Sequence, residues 1–126
     1  MNLKSCYSAA GGDYDDVMRR FLYEVRVDRF LRMFLRDENF ERLCAAMEAR
    51  DPEAAFHAVH TLKGICMNLS LTELAAACTQ LTEDLRGREM VEEAQQDFAK
   101  VHECYLRTGS AVREHLEELT DEESGG

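Results

Sequence analysis

The chain has 126 residues, 45% of them apolar, with one proline and no tryptophan, which suits a single domain with one core and argues against a disordered chain. Its 25 acidic and 15 basic residues give a formal net charge of −10, which argues against nucleic acid or an anionic membrane surface as a partner. No apolar run approaches the ~20 residues of a membrane span, and no secretory signal is visible at the N-terminus, so we expect a soluble, cytoplasmic protein without membrane insertion.

The N-terminal third begins with a stretch that ends in Ala9-Ala10-Gly11-Gly12. We predict that residues 1–12 form a flexible lead. Asp13 is a suitable N-cap for a short helix that follows it. From Val27 to Arg50, apolar residues recur at helical spacing, and the polar residues 37–39 interrupt or restart the pattern.

Two further helices have clear start signals. Asp51-Pro52-Glu53 combines an N-cap aspartate, a proline in the first turn and an acid at the positive end of the helix dipole. Ser70-Leu71-Thr72-Glu73 fits the S-x-x-E capping box, so Ser70 is predicted to cap the next helix. Gly87 is well placed to end that helix.

The last predicted helix begins near Arg88 and extends to about Leu119. Residues 120–126 are predicted to form an acidic, disordered tail. Short loops between long amphipathic helices favour antiparallel neighbours. The sequence therefore predicts an all-α protein: an up-down four-helix bundle over residues 13–119, with an additional short N-terminal helix.

One glycine stands near the middle of the helix that begins after Asp51, although glycine costs a helix interior about 1 kcal/mol relative to alanine. On a helical wheel, His60 lies roughly 120° from the centre of the apolar face and is expected at the surface. The core face consists of Ala55, Val59, Leu62, Cys66 and Leu69. The residues beside His60 are Lys63, Gly64 and Met67.

This arrangement has a chemical use. A neutral imidazole is nucleophilic near pH 7, because the ordinary pKa of histidine is about 6.5. It can attack a phosphoryl group and hold it as a phosphoramidate. Lys63, three residues after His60, can place an ammonium near the phosphoryl oxygens. Gly64 removes a side chain that would obstruct a second protein approaching the imidazole.

The run His60-Thr61-Leu62-Lys63-Gly64 resembles the H-x-x-K-G signature of histidine-containing phosphotransfer (HPt) domains of bacterial and fungal phosphorelays. The resemblance extends from about residue 13 to residue 119. It implies a four-helix bundle that accepts a phosphoryl group on His60 from the phosphoaspartate of one receiver domain and passes it to another. Such a protein is a carrier and not an enzyme, since it has no ATP-binding kinase domain of its own.

The resemblance also implies partners and cofactors. The expected partners are response-regulator receiver domains and a hybrid sensor histidine kinase, with the chain acting as a monomer. No cofactor or metal is expected on this chain, because the receiver supplies the Mg²⁺.

By the same resemblance, His60 is the phosphoacceptor, Lys63 stabilises the phosphoryl group and Gly64 gives clearance for docking. Arg86 matches a position on the neighbouring helix where some members carry a basic residue. Thr82 stands where members often have glutamine, and its hydroxyl could bond the imidazole or the phosphoryl group.

Two departures from the family pattern concern the region after the motif. Many members carry glycine where this chain has Met67 and Ser70. Met67 lies on the same shoulder as His60, so it is either a filler at the core edge or part of a docking surface.

Two other functions compete with phosphotransfer. His57 and His60 are spaced i, i+3, which can chelate a metal, but residues 54–57 lack the Glu-x-x-His pattern of metal sites in bundles. The chain can also be a pure interaction module whose histidine only makes contacts. His57, His102 and His115 are expected to be ordinary solvated residues.

Overall fold

A computed structural model describes the backbone of residues 2–125 and the side chains of residues 2–121. All regular structure in this part of the chain is helical. The helices are α1 (Leu3–Ala10), α2 (Tyr14–Phe21), α3 (Glu24–Arg36), α4 (Asn39–Glu48), α5 (Pro52–Asn68), α6 (Thr72–Asp84) and α7 (Glu92–Gly125).

Helices α4, α5, α6 and α7 pack as successive neighbours, and α1 and α3 pack against α7. Helix α2 lies between α1 and α3, which it contacts on either side. The prediction of an all-α helical bundle is therefore confirmed. The interruption at Asp37 and Glu38 is a true break, and it separates α3 from α4.

The prediction of a flexible lead over residues 1–12 is wrong, because residues 3–10 form α1 and pack into the core. Leu3, Cys6, Tyr7 and Ala10 are each at most 2% exposed. The hydroxyl of Tyr7 donates a 2.8 Å hydrogen bond to the carbonyl oxygen of Leu69. These four residues recur at helical spacing, a pattern that the two glycines after them obscured.

The turn between α5 and α6 is held by the segment that joins α1 to α2. The amide of Asp13 donates to the carbonyl of Ser70 at 2.9 Å, and the amide of Glu73 donates to the carbonyl of Gly11 at 3.0 Å. Ser70 is 2% exposed and has a left-handed φ of 53°. The N-cap of α6 is Leu71, so the prediction that Ser70 caps this helix is wrong.

Helix α7 continues through Gly125. The predicted disordered tail is therefore wrong for residues 120–125, and Gly126 lies outside the described residues. The prediction that His115 is solvated is also wrong. His115 is 2% exposed, and its Nε2 lies 2.8 Å from Oδ1 of Asp28, which joins α7 to α3.

Over the described residues, the helices fall short of the combined length and apolarity that crossing a membrane requires. The monomeric state and the cytoplasmic location stay predictions.

Candidate functional site

Helix α5 carries the candidate site, and its start signals work as predicted. Oδ1 of Asp51 accepts a 3.1 Å hydrogen bond from the amide of Ala54, and Pro52 occupies the first turn. The predicted core face is buried, since Ala55, Val59 and residues in register with them have almost no exposure. Burial of this face fixes the rotation of α5, and His60 consequently lies on the exposed side.

The imidazole of His60 contacts one aromatic ring. It lies parallel to the ring of Phe56, one turn earlier, with an interplanar angle of 3° and ring centroids 5.8 Å apart. Neither ring nitrogen of His60 has a hydrogen-bond partner among residues 2–121. A lone pair on the ring is thus free for an incoming group.

Lys63 and Gly64 flank His60 one turn further along α5. Lys63 is half-buried and Gly64 is exposed. A Cβ added at Gly64 would have nothing within 4 Å. The missing side chain therefore leaves open space above the helix rather than allowing a close helix contact.

An ion pair at the end of α6 borders the same surface. Arg86 donates to Glu83 through Nη2 at 2.6 Å and through Nε at 3.1 Å. These bonds lower the pKa of the Glu83 carboxyl, and the positive charges of Arg86 and Lys63 lower it further. Arg86 lies in the turn after α6, which ends at Asp84, and not on the helix as the sequence suggested.

Arg88 is a second basic residue of this turn, and no motif or spacing in the sequence singles it out. Its guanidinium carbon lies 3.7 Å from the centroid of the Phe56 ring, while that of Arg86 lies 5.9 Å from the same centroid. Phe56 is only 8% exposed, although the helical wheel puts it on the outer shoulder with His60.

The structure separates the two remaining site candidates. Thr82 is fully buried, and its hydroxyl donates a 2.7 Å hydrogen bond to the carbonyl of Cys78 in its own helix. The prediction that this hydroxyl reaches the imidazole or the phosphoryl group is therefore wrong. Met67 is 51% exposed. It lies two turns after His60 on the same face of α5, so it belongs to the surface and not to the core.

An apolar groove of about 600 Å³ opens on the Gly64 side of α5. It lies between α2, α3 and the C-terminal end of α5. Phe30 and Met33 contribute exposed apolar surface to it, at 39% and 57% exposure. The groove is lined by Arg20, Phe21, Phe30, Met33, Phe34, Asp37, Ile65, Asn68 and Leu69.

The other histidines lack these surroundings. His57 is exposed, with Nε2 3.9 Å from Oε1 of Glu53, and it meets the Phe56 ring edge-on at 78° instead of lying parallel to it. His102 contacts the rings of Phe40 and Phe98. Over residues 2–121, no group of three His, Cys, Asp or Glu side chains is arranged to hold a metal ion.

Comparison with known families assigns the chain to one family. The model of the Hpt domain matches residues 29–122, three quarters of the chain, and the chain belongs to this family. Hpt domains carry out histidine phosphotransfer in phosphorelays. They are phosphocarrier modules and not kinases, and they interact with receiver domains and kinases. No curated protein and no solved structure matches the chain.

The match begins inside α3, so α1 and α2 lie outside it. Sequence reasoning missed three contributors to the site: Phe56, Glu83 and Arg88. The i, i+4 spacing of Phe56 and His60 could have revealed the ring pair. Nothing in the sequence could have revealed Arg88, because its position depends on the path of the turn.

Proposed function

We propose that His60 is the phosphoacceptor, which takes a phosphoryl group from the phosphoaspartate of one receiver domain and gives it to another. The observation that carries this proposal is an exposed imidazole whose two nitrogens have no hydrogen-bond partner among the described residues, flanked by Lys63 and by the open space at Gly64. Among the four histidines, all of which lie within the described residues 2–121, His60 alone combines exposure with a neighbouring cation and a neighbouring glycine on its helix.

The reaction follows from this geometry. A neutral nitrogen of His60 attacks phosphorus in line, the N–P bond forms, and the bond from phosphorus to the aspartyl oxygen breaks. The aspartate leaves as a carboxylate, and the imidazole becomes a phosphorylated cation. Lys63 stabilises the charge on the phosphoryl oxygens. The reverse reaction on a second receiver regenerates the neutral ring.

Positioning and electrostatics account for most of the rate in such a transfer. Helix α5 holds His60 on a rigid surface, and the receiver supplies the Mg²⁺ with its own carboxylates. We propose that the receiver docks across Gly64 and Met67 and reaches the apolar groove beside them. The exposed side chains of Phe30, Met33 and Met67 support this footprint.

The test is transfer from a radiolabelled phospho-receiver to the purified protein. Wild-type protein should acquire a label that is labile in acid and stable in alkali, as a phosphohistidine is. The His60→Ala variant should remain unlabelled and folded, because the replaced side chain is exposed. His57→Ala, which removes an exposed histidine one turn earlier, should be labelled normally. Equal labelling of the wild type and His60→Ala would refute the proposal.

A pure interaction module predicts a different result. A folded protein that no receiver from the same source can label would favour that function.

A further inference from the structure

We propose that Arg88 is a positioning residue for phosphotransfer: it fixes the ring of Phe56, and the Phe56 ring in turn fixes the imidazole of His60. This inference rests on the proposed function of His60. It adds to the site a residue that the H-x-x-K-G motif does not contain and that lies on a different segment of the chain.

The backbone at Arg88 gives the first indication. Its φ is 59°, a left-handed conformation that arginine rarely adopts. Gly87, next to it, could adopt this conformation without strain, yet Gly87 is not among the residues with positive φ. Backbone strain of this kind persists where the surrounding structure requires it, often at functional sites.

The strained backbone has a definite result. It directs the side chain of Arg88 back over α5, where the guanidinium covers the Phe56 ring at 3.7 Å. Nη1 of Arg88 also donates a 3.2 Å hydrogen bond to the carbonyl of Arg86. Among residues 2–121, Arg88 has no carboxylate partner, whereas Arg86 is paired with Glu83. Stacking on Phe56 is thus the main interaction of its guanidinium.

The imidazole of His60 depends on the same ring. Reactive histidines usually have one nitrogen bonded to a group that fixes the ring orientation. His60 has no such bond among the described residues, and its parallel contact with Phe56 is what restrains it. Because in-line attack requires an aligned nitrogen, a freely rotating imidazole would react more slowly.

Three substitutions test this inference. Arg88→Gly removes the stacking group and relieves the left-handed strain, so the protein should be at least as stable as the wild type. Transfer from the phospho-receiver should nevertheless slow by about tenfold, the effect expected of a misaligned reactant. Phe56→Leu keeps an apolar side chain but removes the ring, and it should slow transfer similarly. Because both changes break one stack, the double variant should be no slower than either single variant.

Arg88→Lys separates positioning from charge. Lysine keeps the positive charge but lacks the planar group that stacks on a ring, so this variant should also be slow. A wild-type rate in Arg88→Lys would show that charge alone matters and would overturn the proposal. A wild-type rate in Arg88→Gly would overturn it as well.

A spectroscopic measurement on the unphosphorylated protein gives a readout independent of transfer. The ring-proton NMR signals of His60 should lose their Phe56 ring-current shift in Arg88→Gly, while those of His102 stay unchanged. Unchanged His60 signals would refute the positioning role. The NMR measurement does not depend on phosphotransfer. If His60→Ala is still labelled, the proposed function fails, whereas unchanged His60 signals show that the positioning inference fails, so the two failures are distinguishable.

Discussion

The hydroxyl of Ser70 donates a 2.6 Å hydrogen bond to Oδ2 of Asp16 and ties the turn after α5 to the start of α2. Asp16 also accepts from Arg19 at 3.3 Å and from Arg20 at 3.2 Å. The bond from Ser70, followed by the two arginines, lowers the pKa of the Asp16 carboxyl. A buried serine with a left-handed backbone is thus retained beside an ionised aspartate.

We predict that Ser70→Ala and Ser70→Gly both destabilise the protein, because each removes this bond. Glycine also relieves the positive φ of 53°, so Ser70→Gly should be more stable than Ser70→Ala by about 1 kcal/mol. Urea unfolding at pH 7 measures the difference. Equal stability of the two variants would show that the backbone at Ser70 is unstrained.

The same bond predicts a pH dependence. Since the folded state lowers the pKa of Asp16, the stability that ionised Asp16 contributes is present above the unfolded pKa of about 3.9. It is lost as the pH falls through the lower folded pKa. Below pH 4, the wild type should therefore lose more stability than Ser70→Ala. A plot of the free energy of unfolding against pH should be flatter for Ser70→Ala. Parallel curves would contradict this assignment.

The helical core and the motif surface could be predicted from the sequence, because both follow from local periodicity. The spacing of Val59, Leu62 and Cys66 fixes the buried face of α5, and the exposed position of His60 follows by geometry. Asp51 likewise caps its helix through a bond three residues away. Such features depend on neighbours within one or two turns of the chain.

The features that could not be predicted depend on residues far apart in sequence. Ser70 matched a local capping pattern, yet a contact with Asp16, 54 residues earlier, determines its conformation. Only its position in the family pattern points to Thr82, and the packing of α6 turns that side chain into the core. The apolar pattern of α1 is local, but the two glycines after it obscure it, and its place in the core depends on the hydrogen bond from Tyr7 to Leu69, 62 residues later.

A third prediction concerns the Asp84 carboxyl at the end of α6. Burial, and then the nearby carboxyl of Asp97, raises the pKa of Asp84 to about 6. Oδ2 of Asp84 is buried without a hydrogen-bond partner in the described structure, while Oδ1 accepts from Gln80 at 3.3 Å. At neutral pH the folded protein therefore keeps a poorly solvated charge next to a like charge.

Asp84→Asn should stabilise the protein at pH 7 by about 1 kcal/mol. This gain is smaller than the difference between the folded and unfolded pKa of Asp84 implies, because solvent screens the repulsion between the carboxylates of Asp84 and Asp97. In the wild type, protonation of Asp84 contributes to the free energy of unfolding. This contribution is fully present below the unfolded pKa of about 3.9 and is lost as the pH rises through the pKa of the folded protein. The advantage of Asp84→Asn should therefore shrink at pH 5. Thermal unfolding at pH 5 and pH 7 checks this, and a less stable variant at pH 7 would contradict it.

A fourth prediction concerns the buried pair of His115 and Asp28, which joins α7 to α3. Removing one partner leaves the other without its hydrogen bond in an almost dry site, so His115→Ala should lower the free energy of unfolding by about 2 kcal/mol. Asp28→Ala should have a similar effect, and the double variant should cost less than the sum of the two. Urea unfolding provides all three values. His57→Ala, at an exposed position, is the matched control and should change stability little. If the effects of His115→Ala and Asp28→Ala are additive in the double variant, the two side chains are not energetically coupled.

The fifth prediction separates folding from docking at Gly64. Since a Cβ at this position meets nothing within 4 Å, Gly64→Ala should stabilise α5 by up to about 1 kcal/mol through helix propensity. Gly64→Leu should be similarly stable. Both should transfer phosphoryl groups more slowly, with leucine about tenfold slower or worse, because the side chain occupies space that the receiver needs to align its aspartate with His60.

Gly109→Ala on α7 is the control for the gain in helix propensity. An added Cβ there comes no closer than 3.4 Å to another atom, the end of the flexible Arg113 side chain. This variant should therefore gain stability without any loss of transfer rate. If Gly64→Leu is stable and transfers at the wild-type rate, the open space above α5 is not used for docking. If Gly64→Leu is stable and transfers slowly while Gly109→Ala transfers normally, Gly64 serves the docking of the partner and lowers the stability of α5.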